Sequence, residues 1–187
     1  MRVAVTLMTL TVVGVVIAQS LPPEDVPGWN IIKWGMTVDD ARKALGDKAQ
    51  TSTEEPGAAF VDIEKLVIKD LPVGDLVAEC GIYTKRNSDV VTSVSLMFGK
   101  VEEPPSTRER SFDTLKRLLI EKYGQPKSED RKAEPNSFGR GQDVSSTVLW
   151  VFPSTSITLL RHESIAYSDG YVTLTYRAAD TKAKSVL

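Results

Sequence analysis

The sequence predicts an α+β protein made of two αβββ repeats, an antiparallel sheet with the helices packed on one face. Three observations predict it. Two amphipathic segments, "TVDDARKAL" at 37–45 and "SFDTLKRLL" at 111–119, carry apolar residues at helical spacing, and both run on to a glycine, Gly46 and Gly124. Each segment precedes three runs rich in β-branched residues. The segments also align position by position: hydroxyl on hydroxyl at Thr37 and Ser111, Asp39 on Asp113, and Arg42 on Lys116. Any two amphipathic helices share such features, so the common order of helix, glycine and three strands carries the repeat more than the helix match does.

The elements follow in chain order. Residues 1–18 have the layout of a signal peptide: Arg2, an uncharged stretch from Val3 to Ala18, and small residues at Val16 and Ala18 before Gln19. The stretch is shorter than the roughly 20 apolar residues a membrane helix needs. Cleavage between Ala18 and Gln19 is the expectation, with a secreted or periplasmic product and no membrane span. Residues 19–33, opening on "QSLPPEDVPG", read as an exposed leader. Residues 34–101 form the first repeat. Thr37 caps its helix in a Thr-x-x-Asp box, Val38, Ala41 and Leu45 share a face, and Gly46 ends it. Gly35 allows the sharp entry, and Trp34 packs across helix and sheet. Strands are expected at 59–69, 76–85 and 90–98, with turns at 71–75 and 87–89.

Residues 106–177 form the second repeat. Ser106 and Glu109 suggest a capping box, Phe112, Leu115, Leu119 and Tyr123 make the helical stripe, and Gly124 and Pro126 stop it. The polar stretch 128–146 reads as a mobile loop. Strands are expected at 147–152, 156–163 and 171–177, the last after a tight Asp169-Gly170 turn. A disordered tail is expected over 178–187.

Composition excludes several functions. Without residues 1–18 the chain has 22 basic and 25 acidic side chains, well mixed, so there is no nucleic-acid footprint. Cys80 is the only cysteine and shares a strand face with Leu76, Ala78 and Ile82, which makes it a core residue and rules out an internal disulfide. His162 is the only histidine, and no nucleophile-elbow motif accompanies it. No zinc or calcium spacing occurs, and "GRGQD" has no helix pattern after it to cradle a phosphate. No catalytic, metal or cofactor residue is therefore assigned. The candidate partner contacts are aromatic: Trp29 in the leader, and Tyr167 and Tyr171 flanking a hairpin tip. Pairing across the hairpin also explains the two tyrosines and is the favoured reading.

"WGMTVDDARKALG", residues 34–46, resembles the Gly-x-Thr…Leu-Gly signature of the BamE-like (SmpA/OmlA) envelope proteins through Trp34, Gly35, Thr37, Leu45 and Gly46. The tandem arrangement is similar to the β-lactamase-inhibitor-protein family, and the opening is similar to that of other secreted bacterial proteins. The resemblance implies a secreted or envelope protein that binds another envelope or secreted protein. It departs from both families, since this chain lacks a lipid-bearing cysteine after the cleavage point and a second cysteine for a disulfide. The expected function is a non-catalytic protein-binding module. The alternatives are a small-ligand or lipid carrier with an apolar cavity between helices and sheet, and a hydrolase with two carboxylates in a cleft or His162 beside a serine.

Overall fold

A computed structural model describes residues 23–53, 61–99, 103–135, 141–164 and 169–179. Two short strands, β1 (Gly28–Trp29) and β2 (Ile32–Lys33), pair with each other and lead into helix α1 (Val38–Leu45). Thr37 is the N-cap of α1. Its hydroxyl accepts from the Asp40 amide at 3.1 Å and donates to the Asp40 carboxylate at 2.8 Å. Gly46 follows with φ +64°, a conformation a side chain would resist.

A four-stranded meander comes next: β3 (Gln50–Thr51), β4 (Asp62–Val73), β5 (Leu76–Lys85) and β6 (Val91–Phe98). Helix α2 (Pro105–Tyr123) opens a second meander of β7 (Ser128–Pro135), β8 (Gln142–Val151), β9 (Thr155–Ser164) and β10 (Asp169–Ala178). The meanders join by their last strands into one antiparallel sheet of order β3-β4-β5-β6-β10-β9-β8-β7.

The register carries the core across the sheet. Cys80 lies opposite Leu96, Leu96 opposite Leu174, Leu174 opposite Leu159 and Leu159 opposite Val148. All five are buried. The α2 stripe of Phe112, Leu115, Leu119 and Tyr123 is buried in the same core. The Trp150 indole N–H donates to the Gly124 carbonyl at 2.9 Å, so the glycine that ends α2 is tied to the sheet.

The structure corrects several expectations. The α+β class with both helices on one face is replaced by a mainly-β architecture: ten strands and two α-helices are present among the described residues. Helix α1 buries only Ala41, so it borders the sheet without forming a layer on it. Each meander has four strands where three were expected. The extra strand β7 falls in the stretch read as a mobile loop; all eight of its residues are exposed, and it is held by ladder pairing to β8 and by an ion pair of Glu129 with Lys116 on α2 at 2.5 Å. Asp169 and Gly170 lie inside β10, opposite Ser164 and Glu163, and do not form the turn. The α2 N-cap is Pro104 with no side-chain cap, and Glu109 pairs with Arg161 at 3.3 Å instead of completing a box with Ser106. The leader is not an exposed spacer throughout, because Val26 and Ile32 are buried. Asp25 accepts from the Ser154 amide at 2.9 Å and from its hydroxyl at 2.6 Å, which straps the leader to the β8–β9 turn. The expected signal peptide at residues 1–18, Tyr167 and residues 180–187 lie outside the described residues.

Candidate functional site

Hydroxyl side chains line the centre of the sheet face away from α2. Ser95 and Thr175 meet across the central β6–β10 seam with their hydroxyls 3.0 Å apart, and Thr158 continues the row on β9. Large apolar groups stand at one end of this face. Val77 is 58 % exposed, Met97 49 % and Tyr171 37 %. They come from β5, β6 and β10, and line one hollow of about 500 Å³. Alternation places them there: the buried neighbours Ala78, Phe98 and Val172 point to the core, so Val77, Met97 and Tyr171 point away from it. Three carboxylates, Asp70, Glu79 and Glu103, and one cation, Lys69, share the lining. Asp70 sits in a β4 bulge with φ +53°.

Tyr171 is held in place although exposed. Its ring stacks on His162, its cross-strand partner, at 5.2 Å between centroids and 28° between planes. His162 Nδ1 in turn shares a 3.2 Å hydrogen bond with the Ser145 hydroxyl on β8. Tyr171 thus has a histidine as its cross-strand ring partner, and the expected pairing with Tyr167 falls outside the described residues. Trp29 is half-buried against the core, lines a different groove, and is not brought together with Tyr171.

The Ser145–His162 contact is the arrangement a hydrolase would need, so its surroundings matter. No carboxylate contacts His162 among the described residues. Ser145 lies within β8, paired with Lys132 on one side and His162 on the other, so its neighbouring amides belong to the two ladders. They are not free to stabilise an oxyanion, and a nucleophile here would act without that contribution. Among the described residues no three His, Cys, Asp or Glu side chains gather as metal ligands would.

Beside the hollow is a buried ion pair that no sequence motif marks. Arg108, in the first turns of α2, is fully buried. Its Nε donates to both Glu163 oxygens at 3.0 Å, its Nη2 to Oε2 at 2.6 Å, and its Nη1 to the Glu103 carbonyl. The Glu163 carboxylate raises the guanidinium pKa, and burial opposes it. A Cβ at Gly170 would run into the His162 carbonyl and come within 2.9 Å of Arg108 Nε, so glycine lets the arginine pass. Arg108 lies on the stripe of Phe112, Leu115 and Leu119, and a cation on an apolar stripe is the one signal that could have revealed it.

Two other hollows are less suited to a partner. A cleft of about 630 Å³ borders Trp34, Gly35 and Arg177. Its walls are joints of the fold: the Trp34 indole N–H donates to the Thr155 hydroxyl at 2.6 Å, and Arg177 pairs with Asp62 at 2.8 Å. A groove of about 300 Å³ lies beside α2 between Trp29, Leu71, Leu118 and Tyr123. Cys80 is buried, and burial first, then the charge of Glu64, pushes its thiol up to about 12. A thiol this hard to ionise is a poor nucleophile.

Compared with protein-family models, curated proteins and solved structures, the chain matches none of them. Among the described residues no helix is long and apolar enough to cross a membrane.

Proposed function

We propose that this chain is a secreted or periplasmic, non-catalytic module that binds another protein through the sheet face opposite α2. The observation that carries this is the convergence of Val77, Met97 and Tyr171, three of the large exposed apolar side chains, on one hollow. Grouped exposed apolar side chains mark interaction sites, whereas scattered ones need no explanation. A held aromatic strengthens the case, since a ring already fixed loses little freedom when a partner covers it. The signal-peptide layout of residues 1–18 supports export, and the BamE-like resemblance of residues 34–46 supports an envelope role.

The test is site-directed photocrosslinking in the native host, with a photoreactive amino acid at position 97 or, as control, at exposed Arg42 on α1. A dominant adduct from position 97 alone supports the module. Equal adducts from both positions, or none from 97, sink it.

The groove beside α2 favours a second reading, a small apolar ligand, because about 300 Å³ is at the lower end of the range for ligand pockets. Saturable enhancement of a naphthalene-sulfonate probe, lost in Leu118→Glu, would move weight to it.

A further inference from the structure

The hollow on the face opposite α2 also constrains the chemistry of its occupant. We propose that it receives a protein loop presenting a lysine or arginine beside an apolar or aromatic side chain. This inference rests on the docking reading above.

Two features of the same site point to it. The floor is apolar, with Val77, Met97 and the ring of Tyr171 open to solvent. The rim is acidic, with the carboxylates of Asp70, Glu79 and Glu103 against the single ammonium of Lys69. These carboxylates differ in how far their charge is already answered. Glu103 lies close enough to the buried Arg108 to interact with its charge. Asp70 and Glu79 have no ion-pair partner among the described residues. A docking partner would cover them, and a covered carboxylate needs a cation or donors in compensation. An acidic loop would add like charge to a partly desolvated surface, which costs affinity. A purely apolar loop would bury the rim carboxylates unpaired. A cation next to an apolar group satisfies rim and floor together, and the Tyr171 ring offers a second attraction for it.

The His162 stack fits the same occupant. It covers one face of the Tyr171 ring, and Ser145 holds the imidazole in turn. The tyrosine therefore presents the rest of its surface from a fixed position, the property of a rigid aromatic anchor.

The experiment is an NMR titration of the whole isotope-labelled protein with two blocked peptides, Gly-Arg-Trp-Arg-Gly and Gly-Glu-Trp-Glu-Gly. The cationic peptide should shift the resonances of Val77, Met97 and Tyr171, and the shift should weaken as salt rises. Asp70→Asn with Glu79→Gln should weaken its binding about fivefold to tenfold. Asparagine tolerates the positive φ at position 70, so the variant keeps the bulge, and unchanged resonances elsewhere would verify its fold. Equal shifts at the hollow from the acidic peptide would overturn the charge assignment and leave the docking reading intact. No shift at the hollow from the cationic peptide would overturn this proposal, and crosslinking from position 97 would then decide the docking reading by itself.

Discussion

Removing the Arg108 side chain by Arg108→Met should destabilise the protein by about 3–4 kcal/mol. The guanidinium is 0 % exposed and the Glu163 carboxylate 13 %. Three of its nitrogens donate to protein acceptors, two of them to that carboxylate. Breaking a buried pair from one side costs about 3–5 kcal/mol, because the remaining charge loses its partner. Glu163 keeps slight access to water, which favours the lower part of that range, and the orphaned Glu103 carbonyl adds to the loss. Methionine retains most of the alkyl stem, so packing changes little. Glu163→Leu alone should cost a similar amount, leaving a buried cation. The double variant should return to within about 1 kcal/mol of the original, since an apolar pair replaces an ionic one at little net cost. Urea unfolding followed by tryptophan fluorescence reads all four proteins. A loss below about 1 kcal/mol for Arg108→Met, or single losses that simply add in the double variant, would refute the ion-pair argument.

Three further outcomes follow from single side chains. Thr84 is fully buried and its hydroxyl lacks a partner among the described residues, so Thr84→Val should raise stability by about 1 kcal/mol in the same urea assay. Trp34→Phe should cost about 1 kcal/mol, the worth of the indole bond to Thr155; an unchanged midpoint would remove that bond from the account. Cys80 should make stability fall with rising alkalinity. Its thiol keeps its proton in the fold up to about pH 12, while the unfolded chain releases it from about pH 9. The stabilisation is complete below pH 9 and is lost between 9 and 12. The stability difference between the original and Cys80→Ala should therefore shrink by about 4 kcal/mol across that window. A constant difference would place the thiol in water.

What the sequence reveals and hides has physical causes. Strands β5, β6, β9 and β10 are legible because one face is buried and the other is not, which imposes a period of two on Ala78, Cys80 and Ile82 and on Val172, Leu174 and Tyr176. The α2 stripe is legible for the same reason at helical period. Strand β7 leaves no such trace. "SEDRKAEP" is exposed on both faces, and main-chain pairing to β8 is indifferent to side-chain polarity. With β7 silent, the two clear helical stripes dominate the pattern, and the sequence reads as α+β. The leader misled because its prolines suggest a spacer, while Val26 and Ile32 each bury a side chain. Asp169-Gly170 has the residues of a turn, yet the glycine serves the close passage of Arg108. The candidate site was partly legible. Tyr171 is marked by its place beside a turn signal, whereas Val77 and Met97 carry no mark, because their grouping depends on three strands aligned by register.

The strand order also governs when the chain can fold. Strand β6 meets β10 at the centre of the sheet, joining residues about eighty positions apart, as Ser95 and Thr175 do. The first meander can form from local contacts as soon as it is available, but its inner strand then ends in unpaired main-chain groups beside Val94, Leu96 and Phe98. That exposed edge invites pairing with other chains until the last strand arrives to cover it. The long sequence separation slows that final step. A chain emerging from its amino end stays vulnerable until residues 169–178 are present, so a truncation before Asp169 should aggregate.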